Sequence, residues 1–524
     1  MSGARRLASG DGRRRQAGGS AAGPVGTSGG GLIQRWRNLD LRALLKKTAW
    51  VVAGVVVLQA VLFGLLVAGE TVPEKPIVDN LAAAVHNGTY GPASAPDRMG
   101  GTSDTFTECV VAGTGLGSAD TNPFSRAVYM PRISNCDLGA QQILDLAAGK
   151  PLAPGAVSGY FKYWAGYTVL TRPVIALFGL DGMRLVAGGL LLFSGFAAIA
   201  VLAGRTRRWS AVGLLAPLVL ASNLTSTPST SFSQALSISA IFAGIAICAW
   251  AAGKSLAWAA GGVAVSAALF CFVDLLTTPA IPWAFSAAVV AGITFAKTRQ
   301  LRSTVQAGAV AAIVWPVMFA ITWVSRWIIA AIFLGFQQTY AFIQKNVDFR
   351  TTGDYQGVTK GLGHPTLANW HYWLGHLPTA KAVLVVGGIV ILAALTWAWR
   401  RHGWGRAAAG LVISLAAVAI PLWYEVLSNH SQIHSFFTYR GVPAALGVGL
   451  FAALLVAGLP GTSGERRLLL PARRAAGVPA SDDGTGPVGA AEPAGAEGAA
   501  GAEGAAATGR SAGAPEPSQD AAVK

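Results

Sequence analysis

The sequence has little charge: 12% of its 524 residues are Asp, Glu, Lys or Arg, while 52% are hydrophobic and mean hydropathy is +0.48. That scarcity excludes an ordinary soluble protein. The start has no short apolar h-region, because the first apolar run begins near residue 48 and is too long for one, so no cleaved signal peptide is expected. No folded soluble segment gathers the excess of basic residues, so the net charge of +16 gives a nucleic-acid partner little support. The chain also has no phosphate-cradling Gly-rich loop and no HExxH.

What it has instead is apolar runs. A membrane's hydrocarbon core of about 30 Å needs roughly 20 helical residues to cross. Ten stretches qualify, at about 48–69, 182–203, 209–225, 231–252, 255–276, 281–296, 306–325, 382–399, 407–427 and 441–459. The third to fifth are the weakest, since SNLTSTPSTS interrupts one run and only Gly253 and Lys254 divide the next pair. Lys and Arg near span ends favour the cytoplasm. With the amino terminus inside, every short inner loop carries a cation (RTRR, Lys254, KTRQLR, RRHGWGR), while the short outer loops SNLTSTPSTS and TTPAIP carry none. The expected fold is an all-α polytopic membrane protein with both termini cytoplasmic and some attraction to anionic membrane lipid. The high Ala and Gly content points to the plasma membrane of a bacterium with a GC-rich genome.

The expected layout has residues 1–31 and 461–524 as low-complexity tails that cannot bury a core. Residues 32–47 read as an amphipathic lead-in and 48–460 as the membrane domain. Three outer segments follow: 70–181, 326–381 and 428–440. Cys109 and Cys136 both lie in the first of these, where an oxidising compartment permits a disulfide, and no neighbouring His pair favours zinc there. Cys248 and Cys271 lie in spans and read as small buried hydrophobes.

Chemistry-bearing residues concentrate in the outer segments. ETVPEKPIVDN brings Asp79 and Asn80 close to the membrane surface, and GGTSDTFTEC places Asp104 and Glu108 around an aromatic and two threonines. Each acid reads either as a general base or metal ligand, or as a solvated turn or cap residue. In SGYFKYWAGYTVLTRP, Tyr160, Tyr163, Trp164 and Tyr167 recur at three- and four-residue spacing, as on one face of a helix. Such a face is either an interfacial belt or a sugar-stacking wall, with Lys162 and Arg172 beside it to meet a phosphate. Within or at the ends of spans, Asp274, Arg326 and Glu425 are either ion-pair members or site residues. WIIAAIFLGF, after Arg326, reads as a helix lying along the outer surface.

Six of the seven histidines fall in outer segments: His86, His364, His371, His376, His430 and His434. HPTLANWHYWLGH interleaves three of them with Trp370, Tyr372 and Trp373. In NHSQIHSFFTYR, a continued helix would put His430 and His434 one turn apart, with Arg440 where a phosphate would lie. Zinc is disfavoured there, because no HExxH accompanies the pair and Glu425 is the sole candidate for a third ligand; a divalent metal otherwise stays open.

Many spans, a large first outer loop, acids in that loop (Asp79, Asp104, Glu108) and cationic and His residues in later outer loops together resemble the GT-C superfamily of membrane glycosyltransferases. The resemblance is architectural and covers most of residues 45–460. It implies transfer of a sugar from a polyprenyl-phosphate donor on the outer face to a cell-envelope glycan acceptor, with a first-loop acid as general base and cations on the donor phosphate. On that reading Asp79 is the first choice for the base and Asp104 the second; His430, His434, Arg440 and Arg172 hold the phosphate; Tyr163, Trp164 and Trp370 line the sugar; and Lys162 and His371 are further substrate-binding candidates. The absence of a nucleotide loop agrees with a lipid-linked donor. The sequence departs from the commonest pattern in having Asp79-Asn80 where paired acids follow the first span. Two other classes stay open: a transporter or lipid flippase, which would place its polar groups at mid-membrane in repeated halves, and a non-catalytic scaffold.

Overall fold

A computed structural model describes residues 41–352 and 354–461. The tails at 1–31 and 462–524, and the first part of the expected lead-in at 32–40, lie outside the described residues. The chain divides into two compact units, Met1–Ala60 and Val61–Lys524. The described part of the first is the opening of helix α1 (Leu41–Glu70), a continuous helix from the end of the lead-in into the first apolar run. Everything below concerns the second unit.

Among the described residues nine helices are long and apolar enough to cross a membrane, or ten if one pair bent by 76° is counted as a single broken span and not as a re-entrant loop. Each of the ten apolar stretches falls on one of them. The chain is a multi-pass α-helical membrane protein. After α1 the spans are α6 (Thr168–Arg205), the bent pair α7 (Arg208–Leu220) with Leu224–Thr230, then α9 (Phe232–Ala252), α10 (Leu256–Val273), α11 (Ala280–Thr298) and α12 (Leu301–Leu334). The last three are α15 (Ala380–His402), Trp404–Val426 (α16 and α17) and Ser435–Gly458 (α19 and α20). α9 and α11 are the most enclosed, with 72% and 78% of their apolar windows buried, so they form the centre. α6 and α12 instead turn Leu185, Phe193, Phe196, Ile313, Ile328 and Ile332 outward. Hydrocarbon accepts such a face where water would not.

Two helices are interrupted, and each break is chemically closed. In α6, Gly179 takes φ +69°, which L side chains rarely adopt, and the helical ladder is lost around it. Asn80 donates from its amide to the carbonyls of Ile175 (2.9 Å) and Ala176 (3.0 Å), replacing the lost partners. Between α7 and α8 (Thr227–Thr230) the chain bends by 76° inside SNLTSTPSTS. There Ser222 bonds to Leu218 O and Thr227 to Leu224 O, and the Leu224 amide finds Ser222 Oγ. The polar run that weakens this stretch as a span supplies the groups that satisfy its bent backbone.

Residues 71–167 form an extramembrane layer of short elements: α2 (Glu74–His86), α3 (Thr105–Ala112), α4 (Pro123–Tyr129) and α5 (Cys136–Ala147). Two antiparallel ribbons join them, β1 (Ala95–Pro96) with β2 (Thr102–Ser103) and β3 (Pro131–Arg132) with β4 (Ser158–Gly159). Cys109 of α3 and Cys136 of α5 are disulfide-bonded, their sulfurs 2.20 Å apart. Residues 335–379 add α13 (Phe336–Thr351) and α14 (His364–His376), and α18 (Ser428–Ile433) precedes α19 (Ser435–Thr438).

Two local expectations are corrected. Residues 160–167 are irregular, not a helix face, and helix begins only at Thr168; Tyr160 and Tyr163 still meet, their rings 5.5 Å apart, without a helix to space them. WIIAAIFLGF is not a separate surface helix; α12 runs unbroken through Arg326 to Leu334, before Gly335 at φ +102°.

Candidate site at the helix ends

The extramembrane layer and one set of helix ends meet through side-chain bonds drawn from distant parts of the chain. Glu108 of α3 accepts from the Phe232 amide that opens α9 (2.8 Å) and pairs with Arg184 of α6 (2.6 Å). Trp164 donates to Thr322 O in α12 (2.5 Å), and His430 Nε2 lies 2.8 Å from Leu276 O. The opposite helix ends carry Arg205, Arg207, Lys254, Lys297, Arg299, Arg400 and Arg401.

At the centre of this face is a buried chain of polar groups. Asp104 is the N-cap of α3, accepting from Thr107 N (3.1 Å), which explains why an acid starts this helix. Its other oxygen accepts from Gln234 Nε2 (2.6 Å), whose carbonyl accepts from Arg440 Nη1 (2.8 Å). Arg440 also donates through Nε and Nη2 to Asn223 Oδ1 (3.1 and 2.9 Å), where Tyr439 Oη lies 2.8 Å away. Asp97 extends the chain, with Ser226 Oγ within 2.8 Å of both its oxygens and the Met99 amide donating at 2.8 Å. Asp104, Gln234, Asn223 and Arg440 are each at most 1% exposed. Burial pushes the Asp104 carboxyl up to about 6, while bonds from Thr107 and Gln234 and the charge of Arg440 pull the other way. Glu108 is likewise raised, first by burial, with Arg184 opposing.

On the other side of α3, Phe106 and Val110 face a polar cavity of about 250 Å³. The β3–β4 ribbon pairs Arg132 with Ser158, which brings Arg132 and Lys162 to the same tyrosine: their charges lie 4.8 and 5.1 Å from the Tyr160 ring centre. The Lys162 carbonyl accepts from the indoles of Trp323 (2.8 Å) and Trp327 (3.3 Å), so its backbone is fixed to α12. Asn346 of α13 forms the far wall. Behind it, Arg350 donates to Tyr163 Oη at 2.7 Å, and its buried Nε has no hydrogen-bond partner among the described residues. His430 and His434, rings 4.7 Å apart, are both held well below the usual imidazole range, His434 at about 3. Burial is the main cause, with the nearby cations Arg350 and Lys162 adding to it, so both rings are neutral.

A third feature is an apolar cavity of about 480 Å³ between α6, α9 and α10. It runs along the helices from Gly166, Tyr167 and Val273 at the site face to Ala197 and Ile247, with the outward-turned Phe193 on its rim.

Measured against the expected site, the structure regroups the residues. Asp79 is half-exposed and paired with Lys75 one turn away (2.8 Å), outside the cluster that holds Asp104. Arg172 is spent on the carbonyls of Gly69, Val72 and Gly115, so it does not present a free fork to a phosphate. Gly115 is required there: its φ is +81°, and a Cβ would collide with Arg172 Nη1. Tyr163 and Lys162 stay beside the polar cavity, but Trp164 is packed on Phe272 in the interior. Trp370 is half-buried against Trp373, and His371 is exposed on α14. The set in NHSQIHSFFTYR divides: its histidines turn towards Leu276 and Arg350, whereas Tyr439 and Arg440 turn to Asn223.

The three ionisable residues of the spans are each bonded to nearby main-chain groups. Asp274 accepts from the Thr277 amide (2.7 Å) just past the end of α10. Arg326 grips the carbonyls of Tyr163, Ala127 and Val128 at 2.8 to 3.2 Å and pairs with no carboxylate among the described residues. Glu425 receives the Gly363 amide and Thr366 at the start of α14, so it is no third ligand for the histidines. Among the described residues no three His, Cys, Asp or Glu side chains converge to hold a metal ion.

Asp97, Asn223, Gln234, Arg132 and Arg350 carry no weight in the sequence. The one available signal is polarity out of place: Asn223 lies in the run that breaks a span, and Gln234 in the first turn of an apolar helix. Compared with family models, curated proteins and solved structures, the chain matches none.

Proposed function

We propose that this chain is a membrane glycosyltransferase of GT-C-like design, moving a sugar from a polyprenyl-phosphate donor to a cell-envelope acceptor. The observation that carries the reading is the chain Asp104–Gln234–Arg440, in which an acid of the first loop meets a cation of the last span at the helix ends. An acceptor hydroxyl needs a positioned base, and a carboxyl held near 6 is largely ionised at neutral pH while still basic enough to take a proton. In the transfer, the acceptor oxygen bonds to the sugar carbon, its proton passes to Asp104, and the sugar–phosphate bond breaks. The leaving polyprenyl phosphate gains negative charge, which Arg440, its donors held by Asn223 and Gln234, stabilises through its field rather than by direct contact. Asp104 thus replaces Asp79 as the base.

The apolar cavity supports a lipid-borne donor, since one end of it reaches the site face. The basic loops at the opposite helix ends favour the cytoplasm, which supports an extracytoplasmic site, in keeping with a cell-envelope acceptor outside a bacterial plasma membrane. A transporter would concentrate these groups at mid-membrane. The test is transfer of radiolabelled sugar from a polyprenyl-phosphate donor in isolated membranes. Asp104→Asn is expected to abolish it at unchanged protein level, with Asp79→Asn active. The reverse pattern, or full activity in Asp104→Asn, would refute the assignment.

A further inference from the structure

The helix ends opposite the candidate site carry charge of one sign. Every carboxylate of the described residues lies in residues 70–181 or at Asp274, Asp348, Asp354 and Glu425, so Arg205, Lys254 and Lys297 at those opposite ends pair with no acid among the described residues. These three, all exposed, come from separate elements and converge on Gly253. Lys254 lies in the turn between α9 and α10, its ammonium 3.5 Å from the Trp250 ring centre and 4.3 Å from that of Trp258, and the two rings meet edge-on at 5.6 Å. Such a cation–π clamp fixes the charge while leaving its N–H groups for an acceptor. Lys297 of α11 donates to the Gly253 carbonyl at 2.8 Å and keeps its other N–H groups. Arg205 ends α6 against the same residue: a Cβ on Gly253 would stand 2.7 Å from its Cζ. Gly253 has φ −60°, which any residue adopts, so glycine supplies room for the guanidinium here and not backbone freedom. The other cation–aromatic pairs of this face, Arg208 over Trp209 and Arg401 over Trp397, each stay on one helix. Trp250 and Trp258 are 44% and 54% exposed, and indoles at helix ends favour the headgroup level of a bilayer. An anion meeting cations at that level is a lipid phosphate.

We propose that Arg205, Lys254 and Lys297 hold the phosphate of one acidic glycerophospholipid, with the Trp250 and Trp258 indoles beside its glycerol. The proposal is independent of the transferase reading. Native mass spectrometry of the full-length protein in detergent, titrated with phosphatidylglycerol, tests it, with phosphatidylcholine and inorganic pyrophosphate as controls. One saturable phosphatidylglycerol adduct per chain is expected, which pyrophosphate does not displace. Arg205→Gln and Lys254→Gln should each weaken it about tenfold, the loss expected for one charge-assisted hydrogen bond. Gly253→Ala should weaken it as well, although it changes no charge, because Arg205 loses its seat. Arg401→Gln removes the same charge elsewhere on this face and should leave the adduct unchanged. A loss in Arg401→Gln as large as that in Lys254→Gln would reveal diffuse attraction and overturn the site, as would equal occupancy by phosphatidylcholine or no saturable adduct. Displacement by pyrophosphate at the lipid's own concentration would assign the cations to a soluble phosphate and overturn the lipid part. Binding is read without turnover, so loss of transfer and loss of binding are separate results.

Discussion

The two sides of α3 treat charge in opposite ways. Towards α9, Asp104 and Arg440 are deeply buried and joined through Gln234, with Asn223 and Tyr439 completing the arginine's shell. Towards α13, Arg132 and Lys162 border an open cavity whose described lining holds no acid. A buried charge must be compensated from within the protein or carry a large desolvation cost. The first side is compensated by a bonded chain of side chains, whereas the second keeps its cations beside an open space.

The largest expected effect removes the acid from the closed side. Asp104→Asn keeps the shape and the bond from Thr107 but cannot take a proton, so transfer should fall by about 10²–10⁴-fold, the usual contribution of a general base. With the carboxyl at about 6, the ionised, active form accumulates as pH rises through that value. Wild-type transfer should therefore climb between about pH 5 and 7, and the residual activity of Asp104→Asn should not follow that curve. A wild-type rate that falls over this window would assign the acid the opposite role.

Next comes the clip that holds α3 between its two sides. Cys109 and Cys136 are 27 residues apart, for which the loop-entropy model gives about 3–4 kcal/mol. Paired Cys109→Ser and Cys136→Ser substitutions should lower the apparent unfolding temperature in detergent and disturb both sides together. Retained stability would mean that the contacts of Glu108 with Arg184 and Phe232 suffice to seat α3.

A matched pair of substitutions then measures the contrast directly. Arg440→Gln strips the cation from a closed network and leaves Asn223 and Gln234 acceptors buried, at about 2–3 kcal/mol. Lys162→Gln, on the open side, should change stability by no more than about 0.5 kcal/mol. Equal losses in thermal unfolding would erase the distinction.

How much of this is legible depends on the kind of signal. Spans announce themselves through twenty-residue apolar runs, and Cys109 with Cys136 through sharing one outer segment. Residues that satisfy a broken backbone do not: Asn80 draws no attention beside Asp79, although it is Asn80 that caps the break at Gly179. Neutral amides also hide, so the link from Asp104 to Arg440 is invisible because its middle member is Gln234. Arg172 and Arg326 mislead for the converse reason. A guanidinium suits main-chain carbonyls as well as phosphate, and only the fold decides between them.

The smallest effect concerns the acid that the sequence favours. Asp79 and Lys75 form an i,i+4 pair on α2 with side chains 50% and 82% exposed. Exposed pairs of this kind contribute about 0.3–0.5 kcal/mol, screened further by salt. Asp79→Asn should thus leave transfer and unfolding temperature within error of wild type, and Asn80→Ala beside it should cost more, because two main-chain carbonyls lose their donor. A larger loss at Asp79 than at Asn80 would show that the exposed carboxylate meets a substrate, and the division between a closed acid side and an open cation side would have to be redrawn around it.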